Sequence, residues 1–180
     1  MSAAVSIPAR PVRRTDGSRN DRRPGPAPGG VHTEEGTTMR FMLIVKANED
    51  SEAGVMPTKE AIDAMNRFNE ELIKAGIMLA ADGLHPSSNG ARLTFQGGKA
   101  TVTDGPFAET KELIAGFWVL DVSSREEALE WAGRAPFEDG AVLELRKVFE
   151  ASDFPSEILS PEIAAKEQAW RDEHQKPITG

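Results

Sequence analysis

Two side chains in the middle of the chain are suited to moving a proton. His85 lies in ADGLHPSSNG (81–90), and Asp104 begins DGPFAETKE (104–112). An imidazole titrates near neutral pH, and a nearby carboxylate can orient it or act as the base itself. We therefore take His85 and Asp104 as candidate catalytic residues. The competing interpretation is structural: Pro86 holds His85 extended in an exposed loop, and Asp104 only initiates the Asp-Gly-Pro turn.

Three further residues are candidates for substrate binding around this turn. Lys111 would attract an anionic group, while Phe107 and Trp118 would form an apolar wall for a small anionic or aromatic ligand. In the alternative interpretation, Lys111 and Glu109 form an ordinary surface ion pair and the aromatic residues belong to the core.

Several kinds of site are excluded or disfavoured by composition. The chain has no cysteine and no tyrosine, and its histidines (His32, His85 and His174) are widely separated. It contains no glycine-rich nucleotide loop of the Walker or dinucleotide type. We therefore expect neither a cofactor nor a metal, and we interpret the acidic loops 49–52 and 137–141 as solvated charge.

The charge is unevenly distributed. Residues 1–38 hold six arginines and four acidic residues, whereas residues 39–180 hold 15 basic and 25 acidic residues, a net charge of −10. This acidic body argues against nucleic-acid binding, and the apolar runs are too short for a membrane span. The Pro-, Gly- and Arg-rich head lacks a secretory signal, so we predict a disordered extension and a cytoplasmic protein. Met39 is a plausible natural start.

Hydrophobic spacing predicts the elements that position these residues. The predicted strands are residues 40–47, 91–95, 100–103, 116–122 and 141–149. QGGK (96–99) is predicted to be a hairpin turn, and PTKEAIDAMNRFNEELIKAG (57–76) a helix. A second helix is predicted to begin with a capping box formed by Ser123 and Glu126.

The resulting order, β-α-β-β-β-α-β, is that of an α+β, ferredoxin-like sandwich with one additional strand over residues 39–150. One face of such a sheet stays open, so we expect a homodimer that buries it. The tail, residues 151–180, is predicted to hold a short helix capped by Ser160 that lies across the body or a partner, or frays.

The segment VTDGPFAETKELIAGFWVLDV (102–122) resembles the signature of the YCII-related, DGPF-domain (YciI-like) proteins. Similarity extends through MRFMLIVKANEDSEAG, FNEELIKAGIMLAADGLHPSS, EEALEWAGRAPF and LELRKVFEASDF, covering roughly residues 39–155. The resemblance implies a ferredoxin-like fold that pairs into a dimeric α/β barrel, with residues 1–38 outside the domain.

The resemblance implies less about function. Enzyme-like relatives use a His-Asp arrangement and are linked with lyase- or isomerase-like chemistry. Their histidine aligns with PTKEAID (57–63), where this chain has none, so that pair cannot be carried over. DGPF-type members are often encoded beside bacterial extracytoplasmic-function sigma factors, which favours a regulatory setting.

Three hypotheses remain open. In the first, the protein is a small-molecule enzyme that uses His85 and Asp104. In the second, it is a non-catalytic homodimer that binds a small ligand in a pocket and a regulatory protein at its surface. In the third, it is a structural protein in which the DGPF turn only stabilises the dimer.

Overall fold

The computed structural model describes residues 38–108 and 112–180. Apart from Thr38, the predicted extension 1–38 lies outside the described residues. The strands are β1 Met39–Lys46, β2 Met78–Gly83, β3 Ala91–Gln96, β4 Lys99–Asp104, β5 Ile114–Val122 and β6 Leu143–Lys147. The helices are α1 Glu49–Glu52, α2 Lys59–Lys74, α3 Arg125–Ala132 and α4 Pro161–His174.

The strands form two antiparallel sheets, which confirms the α+β class. Four strands make the main sheet in the order β2-β5-β1-β6, and β3 pairs only with β4 in a separate hairpin. The strand β2 is absent from the predicted order, and this prediction was wrong. Ala80, Ala81, Asp82 and Gly83 have weak strand preferences, but β2 pairs along β5, which satisfies its backbone groups.

The core lies between the main sheet and the helices α2 and α3. Alternate residues of β1 and β5 point toward the helices and are buried, and α2 and α3 contribute their own apolar faces. The buried residues of this cluster are Phe41, Leu43, Phe68, Leu72, Ile77, Met78, Trp118, Leu120, Val122 and Ala128. Burying each large side chain contributes about 1.5–3 kcal/mol, so this layer fixes β2 and β5, the strands that come just before the His85 segment and just after the DGPF turn.

Helix α2 agrees with its prediction, and α3 differs in register. Thr58 caps α2 by accepting a hydrogen bond from the Ala61 amide. At α3 the cap is Ser124, whose hydroxyl accepts from the Glu127 amide at 3.1 Å, rather than Ser123. Consecutive serines and consecutive glutamates offer the same spacing twice, so the sequence does not select between the two registers.

The tail helix α4 lies across the body of its own chain. Glu150, on the segment after β6, accepts a hydrogen bond from Arg40 Nε at 2.9 Å and from Arg171 Nη1 at 2.7 Å. Arg40 Nη1 also donates to the Gln175 side chain at 2.7 Å. The predicted Ser160 cap is present. Polar contacts therefore anchor a helix whose own apolar surface is small. Throughout the described ranges, no helix has the length and apolarity needed to cross a membrane.

Candidate functional site at the DGPF turn

The DGPF turn follows β4 and packs directly on the segment that carries His85. The Gly105 amide donates to the Gly90 carbonyl at 3.0 Å, and the Gly105–Pro106 peptide bond is cis. A Cβ placed on Gly105 would lie 1.9 Å from the Ser87 carbonyl oxygen. Glycine is therefore needed here because two backbones approach each other, and the turn holds residues 85–90 against residues 104–107.

A serine–glutamate pair fastens this contact from the other side. The Ser87 hydroxyl donates to Glu52 Oε2 at 2.5 Å, and the Ser87 amide lies 3.2 Å from both oxygens of the same carboxylate. The same hydroxyl accepts a hydrogen bond from the Phe107 amide at 3.1 Å. Glu52 thus links α1, the 3₁₀ turn Ser87–Asn89 and the DGPF turn into one polar cluster.

Sequence reasoning missed this pair. Glu52 belongs to the acidic loop 49–52, which we interpreted as solvated charge, and for Glu52 that interpretation was wrong. Ser87 lies only two residues after the candidate His85, which is a reason to consider it. No sequence pattern, however, connects Ser87 with a glutamate 35 positions earlier. Tertiary packing brings them together.

Phe107 lies at the turn, as predicted, and has a cationic neighbour. The Arg92 guanidinium stands over the Phe107 ring, 4.0 Å from its centroid. Such a cation–π contact contributes about 0.5–2 kcal/mol, depending on how well water is excluded. The ring is half-buried, so one aromatic surface and one positive charge lie together at the turn.

The two candidate catalytic residues lie on the two segments that the contact between Gly105 and Ser87 holds together. Asp104 ends β4 opposite Ala91, and His85 lies two residues before Ser87. Both side chains are exposed. Among the residues that the structure describes, no direct hydrogen bond joins His85 and Asp104. Their catalytic role stays a prediction.

Trp118 is buried in the core, with 5% of its surface exposed. Its indole Nε1 donates to Asn69 Oδ1 at 2.9 Å, and its ring makes edge contacts with Phe68 and Phe137. This position agrees with the core interpretation, and a role in ligand binding stays a prediction. Lys111 and Glu109 lie outside the described residues.

A concave surface separate from the DGPF turn lies where α4 crosses the end of the main sheet. This cleft has a volume of about 950 Å³, and Arg40, Asp121, Glu150, Arg171 and Gln175 are among the residues that line it. Its two arginines already bond Glu150, and His85, Asp104, Phe107 and Trp118 do not line it. In the part of the chain that the structure describes, no three His, Asp or Glu residues are grouped to hold a metal ion.

The comparison with protein families covers most of the chain that the structure describes. A model of the YCII-related domain matches residues 39–152, which include β1 to β6 and the DGPF turn. The chain belongs to the YCII-related family. The predicted resemblance is therefore confirmed, and within this YCII-related chain α4 lies beyond the matched residues.

One curated relative adds a local similarity. Over 68 residues the YCII-related chain is 37% identical to "Uncharacterized protein R00369" of Rhizobium meliloti (strain 1021). The aligned part makes up 38% of this chain and 55% of that relative, so the chain spans about half the length of the relative it matches.

Proposed function

We propose that this YCII-related protein is a small-molecule enzyme that transfers a proton beside the DGPF turn. The observation that carries the proposal is the close backbone contact between Gly105 and Ser87. It holds the segment bearing Asp104 against the segment bearing His85, and both side chains remain accessible to a substrate. The glycine, the cluster around Ser87 and the Arg92–Phe107 contact all stabilise this one junction.

The chemistry suited to this pair is a lyase- or isomerase-like proton transfer on a carbon acid. Asp104 removes a proton from the carbon next to a carbonyl, and the imidazolium of His85 returns one at a second position. The substrate keeps its proton count, and Asp104 then loses its proton to solvent while His85 regains one from solvent, so both groups are restored without an oxidant or reductant. A positioned acid and base of this kind each accelerate such a step by about 10²–10⁴-fold. Arg92 would attract an anionic substrate, and Phe107 would contact its apolar part.

The proposal includes a ferredoxin-like layer that pairs into a dimeric α/β barrel. The order β2-β5-β1-β6, with α2 and α3 on one face, supports this arrangement. On the opposite face, alternation places Met42, Ile44, Phe117 and Val119 together, since Met42 pairs with Val119 and Ile44 with Phe117. An apolar sheet face of this kind is best buried against an equivalent face of a second copy.

Thermal-shift measurements on the full chain test the site. Wild type, His85→Ala and Asp104→Asn are compared in the presence of small carboxylates, phenols and unsaturated lactones, and His174→Ala is the matched histidine control. A ligand at about 100 times its Kd stabilises by about 2.7 kcal/mol. We expect at least one class to stabilise wild type and the control but neither site variant. Equal stabilisation of all four proteins would contradict the assignment.

A second candidate function is a non-catalytic homodimer that binds a small ligand and meets a regulatory protein. The exposure of both His85 and Asp104 favours it, because proton transfer benefits from a site that excludes water. It predicts that ligand stabilisation survives His85→Ala.

A further inference from the structure

The β3–β4 hairpin presents an apolar face to solvent. Every residue of both strands is exposed. Leu93 and Val102 are opposite each other and are 57% and 59% exposed, and Phe95, opposite Ala100, is 76% exposed. Residues opposite each other in antiparallel strands share a face, so Leu93, Phe95 and Val102 form one apolar patch. We call this patch the arm face.

The hairpin is held at its base and projects from it. The Gly90–Gly105 hydrogen bond and the Arg92–Phe107 contact fasten the open end. Gly97 and Gly98 close the far end with φ of +57° and +77°, positive values at both central residues as in a type I′ hairpin turn, and the predicted hairpin turn at QGGK is confirmed. Within the described ranges, β3 and β4 make extensive contact with each other and at most slight contact with any other helix or strand. An isolated two-stranded hairpin is only marginally stable in water, so we expect another protein surface to bury the arm face.

Size and charge indicate what covers it. Six residues per strand give an arm about 20 Å long and about 10 Å wide, so one contact with a partner buries only about 400 Å² in total. A specific interface needs about 1,200 Å² or more, so the arm alone would not hold an unrelated partner. A twofold pair uses two arms and adds the open sheet face. The arm carries Arg92, Lys99 and Asp104, but Arg92 and Lys99 lie on the face opposite the arm face, so packing the arm face on a second copy buries neither cation.

We propose that the hairpin is an exchange arm whose arm face packs on a second copy of this chain. The inference rests on the proposed homodimer and identifies the segment that packs against the partner. It also couples assembly to the site. Arg92 lies on the opposite face of β3 and stacks on Phe107, so fixing the arm against a partner fixes Arg92 at the DGPF turn.

Sedimentation equilibrium of the full chain over a range of concentrations tests the arm. We expect wild type to dimerise, and Phe95→Ser and Leu93→Ser each to raise the dimer Kd at least tenfold with unchanged far-UV circular dichroism. Two controls should keep the wild-type Kd. Ile158→Ser changes an apolar side chain of similar exposure (74%) outside the arm, and Thr94→Ala changes the opposite face of β3.

The outcomes separate failure of the arm from failure of the dimer. A wild type that stays monomeric at every concentration overturns both. A wild-type dimer with unchanged Kd in Phe95→Ser and Leu93→Ser overturns the arm alone. The same result with a lower, concentration-independent melting temperature shows that the arm packs on its own chain instead. An equal loss in Ile158→Ser also overturns the inference, because it indicates non-specific association.

Discussion

Replacing Gly105 with alanine tests whether the DGPF turn depends on close backbone packing. The added Cβ would lie 1.9 Å from the Ser87 carbonyl oxygen, 2.6 Å from its carbonyl carbon and 3.2 Å from the Ser88 amide nitrogen. All three are backbone atoms, which cannot rotate away, so the two segments must separate. Overpacking of this kind costs about 1–3 kcal/mol. Separation also weakens the hydrogen bond from Phe107 to Ser87, worth about 0.5–1.5 kcal/mol. We expect a total loss of about 1.5–4.5 kcal/mol.

Urea denaturation followed by tryptophan fluorescence measures this loss. Gly83→Ala is the matched control, because a Cβ at Gly83 meets no atom within 4 Å and the position has no positive φ. That variant should be as stable as wild type or up to about 1 kcal/mol more stable, since alanine restricts the unfolded chain. If Gly105→Ala unfolds at the same urea concentration as Gly83→Ala, the packing argument for the turn is wrong.

Two further predictions concern the C-terminal part of the chain. Glu150→Gln should weaken the docking of α4 by about 1–3 kcal/mol, because Arg40 and Arg171 both lose a charged acceptor; hydrogen exchange of the α4 amides should accelerate by about tenfold or more. The Glu150 amide and then the Lys147 ammonium hold the pKa of Asp153 below its ordinary value. Since the folded pKa is the lower one, Asp153 stabilises the fold above its ordinary pKa, and this contribution is lost as pH falls through the folded value. Asp153→Asn should therefore lower the melting temperature at pH 7, and the difference from wild type should vanish in acid.

Matched variants control these two measurements. Glu162→Gln removes only an exposed ion pair with Lys166 and should leave exchange in α4 after its first turn unchanged. Asp139→Asn makes the same chemical change at an exposed acidic side chain elsewhere in the chain and is measured alongside Asp153→Asn at each pH. Unchanged α4 exchange in Glu150→Gln, or a melting difference for Asp153→Asn that persists in acid, would contradict the respective argument.

The main elements of the fold were accessible from the sequence because their signals are local. Helix α2 has apolar residues at helical spacing between a threonine cap and Gly76, and the paired glycines of QGGK specify the hairpin. Strand β2 lacked such a signal, because Ala80 and Ala81 acquire strand structure only by pairing with β5. Local pattern failed where the neighbour in space is distant in sequence.

The same distinction applies to the site. Asp-Gly-Pro identified the turn, but its partner Ser87 and the carboxylate of Glu52 come from separate segments that only the folded chain brings together. Trp118 shows the reverse case. Its residue type suits a ligand wall, yet the alternation of β5 points it into the helix-covered core. Residue type suggested chemistry, and the direction of each side chain depended on the fold.

Solvent deuterium incorporation tests the central proposal most directly. Each compound that stabilises the full-length protein is incubated with it in D₂O, and proton NMR follows the signal of the carbon next to the carbonyl. Proton transfer at the DGPF turn predicts deuterium incorporation with wild type and with His174→Ala, and its loss with Asp104→Asn and His85→Ala. Binding without incorporation above the buffer rate would contradict the enzymatic proposal and favour the ligand-binding module.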